Sequence, residues 1–470
     1  MLAARGGRRE TPPAMTFHPV VEEWDVDLVA GDPLGFPGYA GAQERARAGG
    51  ESVATGRTEH YAFAAGRFDV VGGSMGAAAG EKVVRAYDRA TAAGLPMVVH
   101  TRTGGARVQE GMVALVQLAR TASAAHRHSA AGLLSVGVYG SPTTGGVFAS
   151  YGSLVDLRAA ESHAVLGFAG PRVAEGTLGI TLPPGSHTAG WAYAHGQLDA
   201  LVAPDEAAAW VEAALGLRDR PLPTRPLPAW SDPREPGAWG EVLRARAVGR
   251  PTGIDRAARL CGSWVEMRGL DPTVRAALAT VAGRRCVVVA TDRYWGPGRP
   301  TPDGFRLAQR AVRLAGRLGL PVVTLIDTPG ADPSPEAEAD GIGPEIAATF
   351  EAFAACPTPI VSACVGEGGS GGALALSYAD RLLISEHAVY SVIAPEGAAA
   401  ILERTMASPA EVAGLLKLTS ADMAELGIVD EVIPEGQSAL DRAIAAALDA
   451  AVVGERERRF DAATARWLLP

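Results

Sequence analysis

The chain has 470 residues, 47% of them hydrophobic and 20% charged, with a formal net charge of -9. That is the composition of an ordinary soluble globular protein with room for two large domains or about three of average size. No stripe of Lys or Arg is present, which argues against a nucleic-acid partner, and with Lys82 and Lys417 as the only lysines, many lysine-dependent chemistries are excluded. Cys261, Cys286, Cys356 and Cys364 form no CxxC pair. Neither a structural zinc site nor a disulfide framework is therefore expected, in keeping with a cytoplasmic protein. No apolar run of about 18 residues suggests a membrane span.

In chain order, residues 1–15 are basic but lack the apolar core of a signal peptide, and read as a disordered tail. Residues 16–217 form a first unit, and 241–470 a second. In each, an amphipathic helix (Glu81 to Ala93; Asp303 to Leu318) ends in Gly-Leu-Pro, a stop signal in which Gly caps and Pro cannot continue. A short apolar strand follows (Met97 to His100; Val322 to Asp327), then a glycine turn and a second helix. A second strand (Leu133 to Val138; Pro359 to Val365) leads to another glycine turn that opens an Ala-rich helix. The third strand is Ala164 to Phe168 or Ala388 to Ile393. Short apolar strands alternating with helices imply an α/β fold with mainly parallel pairing. Between the units, residues 218–240 are proline-rich, which prevents helix and central strand alike and predicts a semi-rigid linker.

The two units are copies. Gly94-Leu95-Pro96 recurs as Gly319-Leu320-Pro321, 225 positions later, and His163-Ala164-Val165 as His387-Ala388-Val389, 224 positions later. The pair Gly145-Gly146 aligns with Gly371-Gly372, an interval of 226. His195 to Asp199 corresponds loosely to Leu426 to Asp430.

The glycine turns lie where strands end and helices begin, where backbone N–H groups are unsatisfied and the local potential is positive. They are Thr103 to Arg107 and Pro142 to Gly146 in the first unit, and Asp327 to Ala331 and Gly366 to Ala373 in the second. Two N–H groups beside a glycine make a site for an oxyanion. One pair of turns per unit predicts two such sites. Gly366 to Gly371 also matches the dinucleotide fingerprint G-x-G-x-x-G, but it has more glycines than that motif needs and the first unit does not share it. No Gly-Lys-Ser/Thr follows any run, which excludes a P-loop. Side-chain catalysis has little support. His163 and His387 read as structural, Cys364 as a core residue, and Glu110 as a carboxylate satisfying a helix start. A proton shuttle supplied by the substrate or cofactor fits this absence.

At these motifs the chain resembles a known family. The first unit resembles the β subunit of bacterial acetyl-CoA carboxylase carboxyltransferase through Asp32 to Tyr39, Gly72 to Gly76, Gly104 to Gly111, Pro142 to Val147 and Gly167 to Val173. The second is similar to the α subunit through Pro302 to Gly304, Ile326 to Ala331, Gly366 to Ala375, Tyr390 to Gly397 and Leu416 to Thr419. The resemblance implies a tandem duplication of two crotonase-like (ββα-superhelix) domains. It also implies transfer of carboxylate from carboxybiotin to acetyl-CoA, with the biotin enolate taking the α-proton of the acyl group. Gly105, Ala106, Gly145 and Gly146 would serve the thioester, and Gly330, Ala331, Gly371 and Gly372 the biotin ureido oxygen. Gly73, Met75, Arg107, Phe168, Gly170 and Ala373 would line the substrates. The implied partners are acyl-CoA, a biotin carboxyl carrier protein and a biotin carboxylase on separate chains, and a second copy in a homodimer.

The chain departs from the family pattern in three places. A four-cysteine zinc ribbon of the β subunit has no counterpart, so no zinc is expected. Asp332 and Ser334 stand where the α motif has Tyr and Gly, and Gly341 to Pro344 replace Gly-Gln-Ser-Glu. Two other functions use similar sites: decarboxylation of malonyl or methylmalonyl thioesters, and non-catalytic scaffolding of a carboxylase.

Overall fold

The structure is a computed structural model that describes residues 16–296, 298–402 and 408–469. The expected tail of residues 1–15 lies outside the described residues. The chain divides after Leu215 into two compact units.

The first unit holds β1 (Glu22–Trp24), β2 (Val53–Arg57), β3 (Ala62–Gly66), β4 (Met97–Thr103), β5 (Ser135–Thr144), β6 (Leu157–Glu161), β7 (Leu166–Gly167) and β8 (Ala200–Val202). Their spatial order is β1-β2-β3-β4-β5-β6-β8, with β7 beside β5. The second holds β9 (Cys261–Met267), β10 (Val274–Val281), β11 (Arg284–Thr291), β12 (Val322–Thr328), β13 (Ile360–Gly369), β14 (Arg381–Ser385), β15 (Val389–Ser391) and β16 (Glu431–Ile433). There the order is β9-β10-β11-β12-β13-β14-β16, with β15 beside β13. In both sheets the first three strands pair antiparallel and all later pairs are parallel. The duplication read from sequence is thus a duplication of topology.

The parallel strands are apolar on both faces because helices cover the sheet. Val322, Val323, Leu325 and Ile326 are all fully buried. The Ala77–Ala93 helix turns Ala79, Val83, Ala86, Tyr87 and Ala90 toward the first core, a helical spacing. It ends at left-handed Gly94 (φ 64°), where Leu95 N–H reaches Ala90 O at 2.9 Å. The Pro302–Leu318 helix repeats that cap at Gly319 (φ 69°), with Leu320 N–H on Ala315 O at 2.9 Å. Both helices begin before the predicted starts.

Three other expectations change. The third strands shrink to the two residues of β7 and the three of β15. The second glycine turn opens a helix only in the second unit (Ser370–Ser377), whereas residues 145–153 form consecutive turns. The expected linker is helical from Gly237 onward, and its earlier part packs on the second unit. Leu222 enters that unit's core, and Arg225 binds Asp255 at 2.8 Å and Asp292 at 2.8 Å. Ion pairing, beyond proline stiffness, fixes this segment. Among the described residues no helix is long and apolar enough to cross a membrane.

Candidate active site

The turn after β4 is fixed by its own backbone. Thr103 Oγ1 accepts Gly105 N–H at 2.9 Å, and Gly104 N–H reaches Gly72 O at 2.9 Å. Met75 bridges it on both sides, donating to Gly105 O at 2.8 Å and accepting from Arg107 N–H at 2.9 Å. Ala106 N–H alone in this turn has no acceptor among the described residues. After β5, left-handed Gly145 (φ 71°) donates to Phe168 O at 2.9 Å, while Gly146 N–H has no acceptor among the described residues. The two turns touch through glycine: a Cβ on Gly145 would lie 2.6 Å from Gly105 Cα. Two unsatisfied donors therefore sit on adjoining turns.

The second unit repeats the arrangement. Thr328 Oγ1 accepts Gly330 N–H at 3.2 Å, and Ala331 N–H has no acceptor among the described residues. Beyond β13, Gly371 N–H lies in the uncapped first turn of the Ser370–Ser377 helix. A Cβ on Gly372 would lie 2.6 Å from Ala331 N, so these turns adjoin as well. Thr103 pairs with Thr143, and Thr328 with Gly368. This register makes Ser370-Gly371 the counterpart of Gly145-Gly146, one residue before the pair aligned from sequence. Ser370 has the same left-handed conformation (φ 57°) as Gly145 (φ 71°), although it is not glycine. Such backbone is uncommon outside glycine and marks a constrained position.

The residues expected to line substrate fall into three groups. Phe168 is 75% exposed and Gly170 borders open space, so both are accessible. Gly73 and Met75 act through backbone: a Cβ on Gly73 would lie 2.0 Å from Arg102 O. Arg107 and Ala373 are buried at 2% and 0% exposure, and neither presents its side chain to a ligand.

Arg107 is held inside a charged cluster that sequence reading missed. Its guanidinium donates to Glu51 Oε1 (2.5 Å), Ser52 Oγ (2.9 Å), Ser74 O (2.8 Å), Tyr39 Oη (3.1 Å) and Glu110 Oε1 (3.2 Å). Glu110 also accepts from Ala77 N–H at 2.5 Å, at the start of the Ala77–Ala93 helix. It satisfies a helix start as expected, but of a different helix from its own. Burial pushes the Glu51 carboxyl up, and the Arg107 guanidinium outweighs this and holds it below the usual range. A carboxyl lowered by folding stabilises above the unfolded pKa, and that share is lost as pH falls through the folded value. Urea denaturation of Glu51→Gln across pH 4–7 should therefore show a flatter acid limb than the parent.

In the second unit, Asp327 is fully buried and accepts from Glu367 N–H at 3.0 Å and Arg293 at 3.3 Å. Burial pushes its carboxyl above the ordinary Asp range, with Arg293 pulling the other way. Arg246 binds Glu367 at 2.6 Å and Glu396 at 2.5 Å. His387 pairs with Glu241 at 3.0 Å, a structural bond, whereas His163 is exposed in a turn. All four cysteines are buried and unpaired, and burial pushes the Cys364 thiol up to about 12, which leaves it unreactive. Among the described residues no cluster of three or more His, Cys, Asp or Glu is placed to hold a metal ion.

Two crotonase-like units, each with paired turns offering unsatisfied N–H groups, are a frame able to hold an oxyanion on backbone. Comparison with known proteins specifies it. Residues 49–209 match the model of the carboxyl transferase domain, and residues 235–457 that of the acetyl co-enzyme A carboxylase carboxyltransferase-like family. The acetyl-coenzyme A carboxylase carboxyl transferase subunits beta/alpha of Salinispora arenicola is 42% identical, covering 86% of this chain and 78% of that one. A probable biotin-dependent acyl-coenzyme A carboxylase beta3 subunit of Mycobacterium bovis is 39% identical, covering 89% and 88%. The solved transcarboxylase 12S shares the fold, with a TM-score of 0.76 at 22% identity over 93% of this chain and 88% of that one. The chain belongs to the carboxyltransferase family of biotin-dependent acyl-CoA carboxylases.

Proposed function

We propose that the chain moves carboxylate from carboxybiotin, borne on a separate carrier protein, to acetyl-CoA, giving malonyl-CoA. In this reading Ala106 and Gly146 N–H hold the thioester enolate oxygen, and Ala331 and Gly371 N–H the ureido oxygen of biotin. The observation that carries it is the recurrence, in both units, of adjoining turns whose N–H groups have no acceptor among the described residues: Ala106 and Gly146 in the first unit, and Ala331 with the uncapped helix start at Gly371 in the second. Two charges develop in carboxyl transfer, one on each reactant, and a preorganised donor at each is worth about 10²–10³ in rate. Decarboxylation alone develops only the enolate, so the second pair of turns supports transfer.

The partners in this reading are the biotin carrier, a biotin carboxylase and a second copy of the chain. Transcarboxylase 12S is described with methylmalonyl-coenzyme A bound, so the acyl group is the point to test. With free biotin as acceptor, kcat/KM for malonyl-CoA should exceed that for methylmalonyl-CoA by about tenfold or more, the usual worth of one methyl group in a fitted pocket. A preference for methylmalonyl-CoA would overturn the acetyl assignment.

A further inference from the structure

The duplication breaks down at one residue beside the second pair of turns. Gly298-Arg299-Pro300 runs along the 328–332 turn and is tied to it at both ends. Thr328 Oγ1 donates to Gly298 O at 3.0 Å, and Asp332 N–H to Pro300 O at 2.9 Å. Arg299 lies between these anchors. Its Nη1 reaches Pro329 O at 3.5 Å and would stand 3.8 Å from a Cβ on Gly330, next to the unsatisfied Ala331 N–H. Among the described residues the guanidinium has no carboxylate partner, although it is half-buried.

At the same place in the first unit stands Ser74, 225 positions earlier. It follows Gly73, whose φ of 64° matches the 67° of Gly298. Ser74 Oγ donates to Val71 O at 2.7 Å and accepts from Arg107 at 3.3 Å, so it is uncharged and occupied internally. One fold position thus carries a neutral, satisfied side chain beside the first turns and an unpaired cation beside the second. A half-buried guanidinium with no counter-ion is ready to take an anion, and its planar fork suits one with two acceptor atoms.

We infer that Arg299 is a catalytic residue of the second site, where it pairs with the anionic ureido group of the biotin substrate. This rests on the assignment of that site to biotin. When the N–CO₂ bond of carboxybiotin opens, its electron pair stays on the ureido group as negative charge, and CO₂ leaves uncharged for the acyl α-carbon. In the reverse direction the same ureido anion forms as biotin gives its N–H proton to the acyl enolate. A fixed cation at Arg299 stabilises that charge in both directions.

The test uses the full-length chain with malonyl-CoA and free biotin. Arg299→Gln should lower kcat about 10- to 100-fold, the range for loss of a charge-assisted bond to a developing anion. Arg299→Lys should recover part of the loss. The Kd for acetyl-CoA, measured by calorimetry, should stay within about twofold of the parent. Parental kcat in R299Q, or acetyl-CoA binding that weakens in step with kcat, would overturn the inference. Should R299Q fail to fold, Arg299→Ser, the residue type the first unit carries at this position, takes its place, and parental kcat in that variant would equally overturn the inference. A parent chain that transfers no carboxylate to biotin would instead overturn the assignment of the site.

Discussion

Gly372→Ala is expected to lower carboxyl transfer about 10²- to 10³-fold, the cost of losing one oxyanion donor. The added Cβ would stand 2.6 Å from Ala331 N and 2.9 Å from Ala331 Cβ. Neither is the end of a flexible chain, so the turn carrying Ala331 must move. Gly372 itself has no left-handed φ, and alanine is a better helix former than glycine. The expected loss is therefore in the site and not in the fold. Thermal denaturation should show a near-parental Tm, while kcat with malonyl-CoA and free biotin collapses. Acetyl-CoA binding, assigned to the other unit, should change less than about twofold. A variant that turned over at the parental rate would place the second pair of turns outside the chemistry.

Arg107→Met is expected to cost the first unit about 3–5 kcal/mol, because it leaves Glu51 and Glu110 charged and buried without their partner. Both carboxylates are essentially inaccessible, at 2% and 0% exposure. The same guanidinium ties together Tyr39, Ser52 and Ser74, and Arg107 directly follows the unsatisfied Ala106 N–H. Loss of activity should accompany loss of stability, since the donor is then free to shift. Adding Glu51→Gln removes one of the stranded charges and should restore part of the stability, a coupling a double-mutant cycle measures directly. If R107M cost less than about 1 kcal/mol in urea denaturation, the cluster would not be what holds this turn.

Local features were the most readable in the sequence. Gly94 and Gly319 stop their helices where the Gly-Leu-Pro motif predicts, because a left-handed cap needs only its own turn. The glycine turns were visible for the same reason. What needed the folded chain was what depends on distant partners. β10 reads Val-Arg-Ala-Ala-Leu-Ala-Thr-Val, with helix-favouring alanines, yet Ala276, Ala277 and Ala279 are fully buried between β9 and β11. Tertiary pairing overrides their propensity. Arg107 was expected to line substrate, but Glu51 and Tyr39 lie 56 and 68 positions away, so nothing local showed that they consume its donors. The register slip at Gly371-Gly372 has a similar cause. Identical glycines drew the alignment, while conformation assigns Ser370 to the place of Gly145.

Dependence of the chemistry on biotin tests the central claim most directly. The purified chain, given malonyl-CoA with and without free biotin, is followed for acetyl-CoA formation. Two oxyanion sites assigned to carboxyl transfer predict acetyl-CoA that accumulates with biotin present, matched by carboxybiotin, and little without it. Release of CO₂ from malonyl-CoA at the same rate whether or not biotin is added would contradict it.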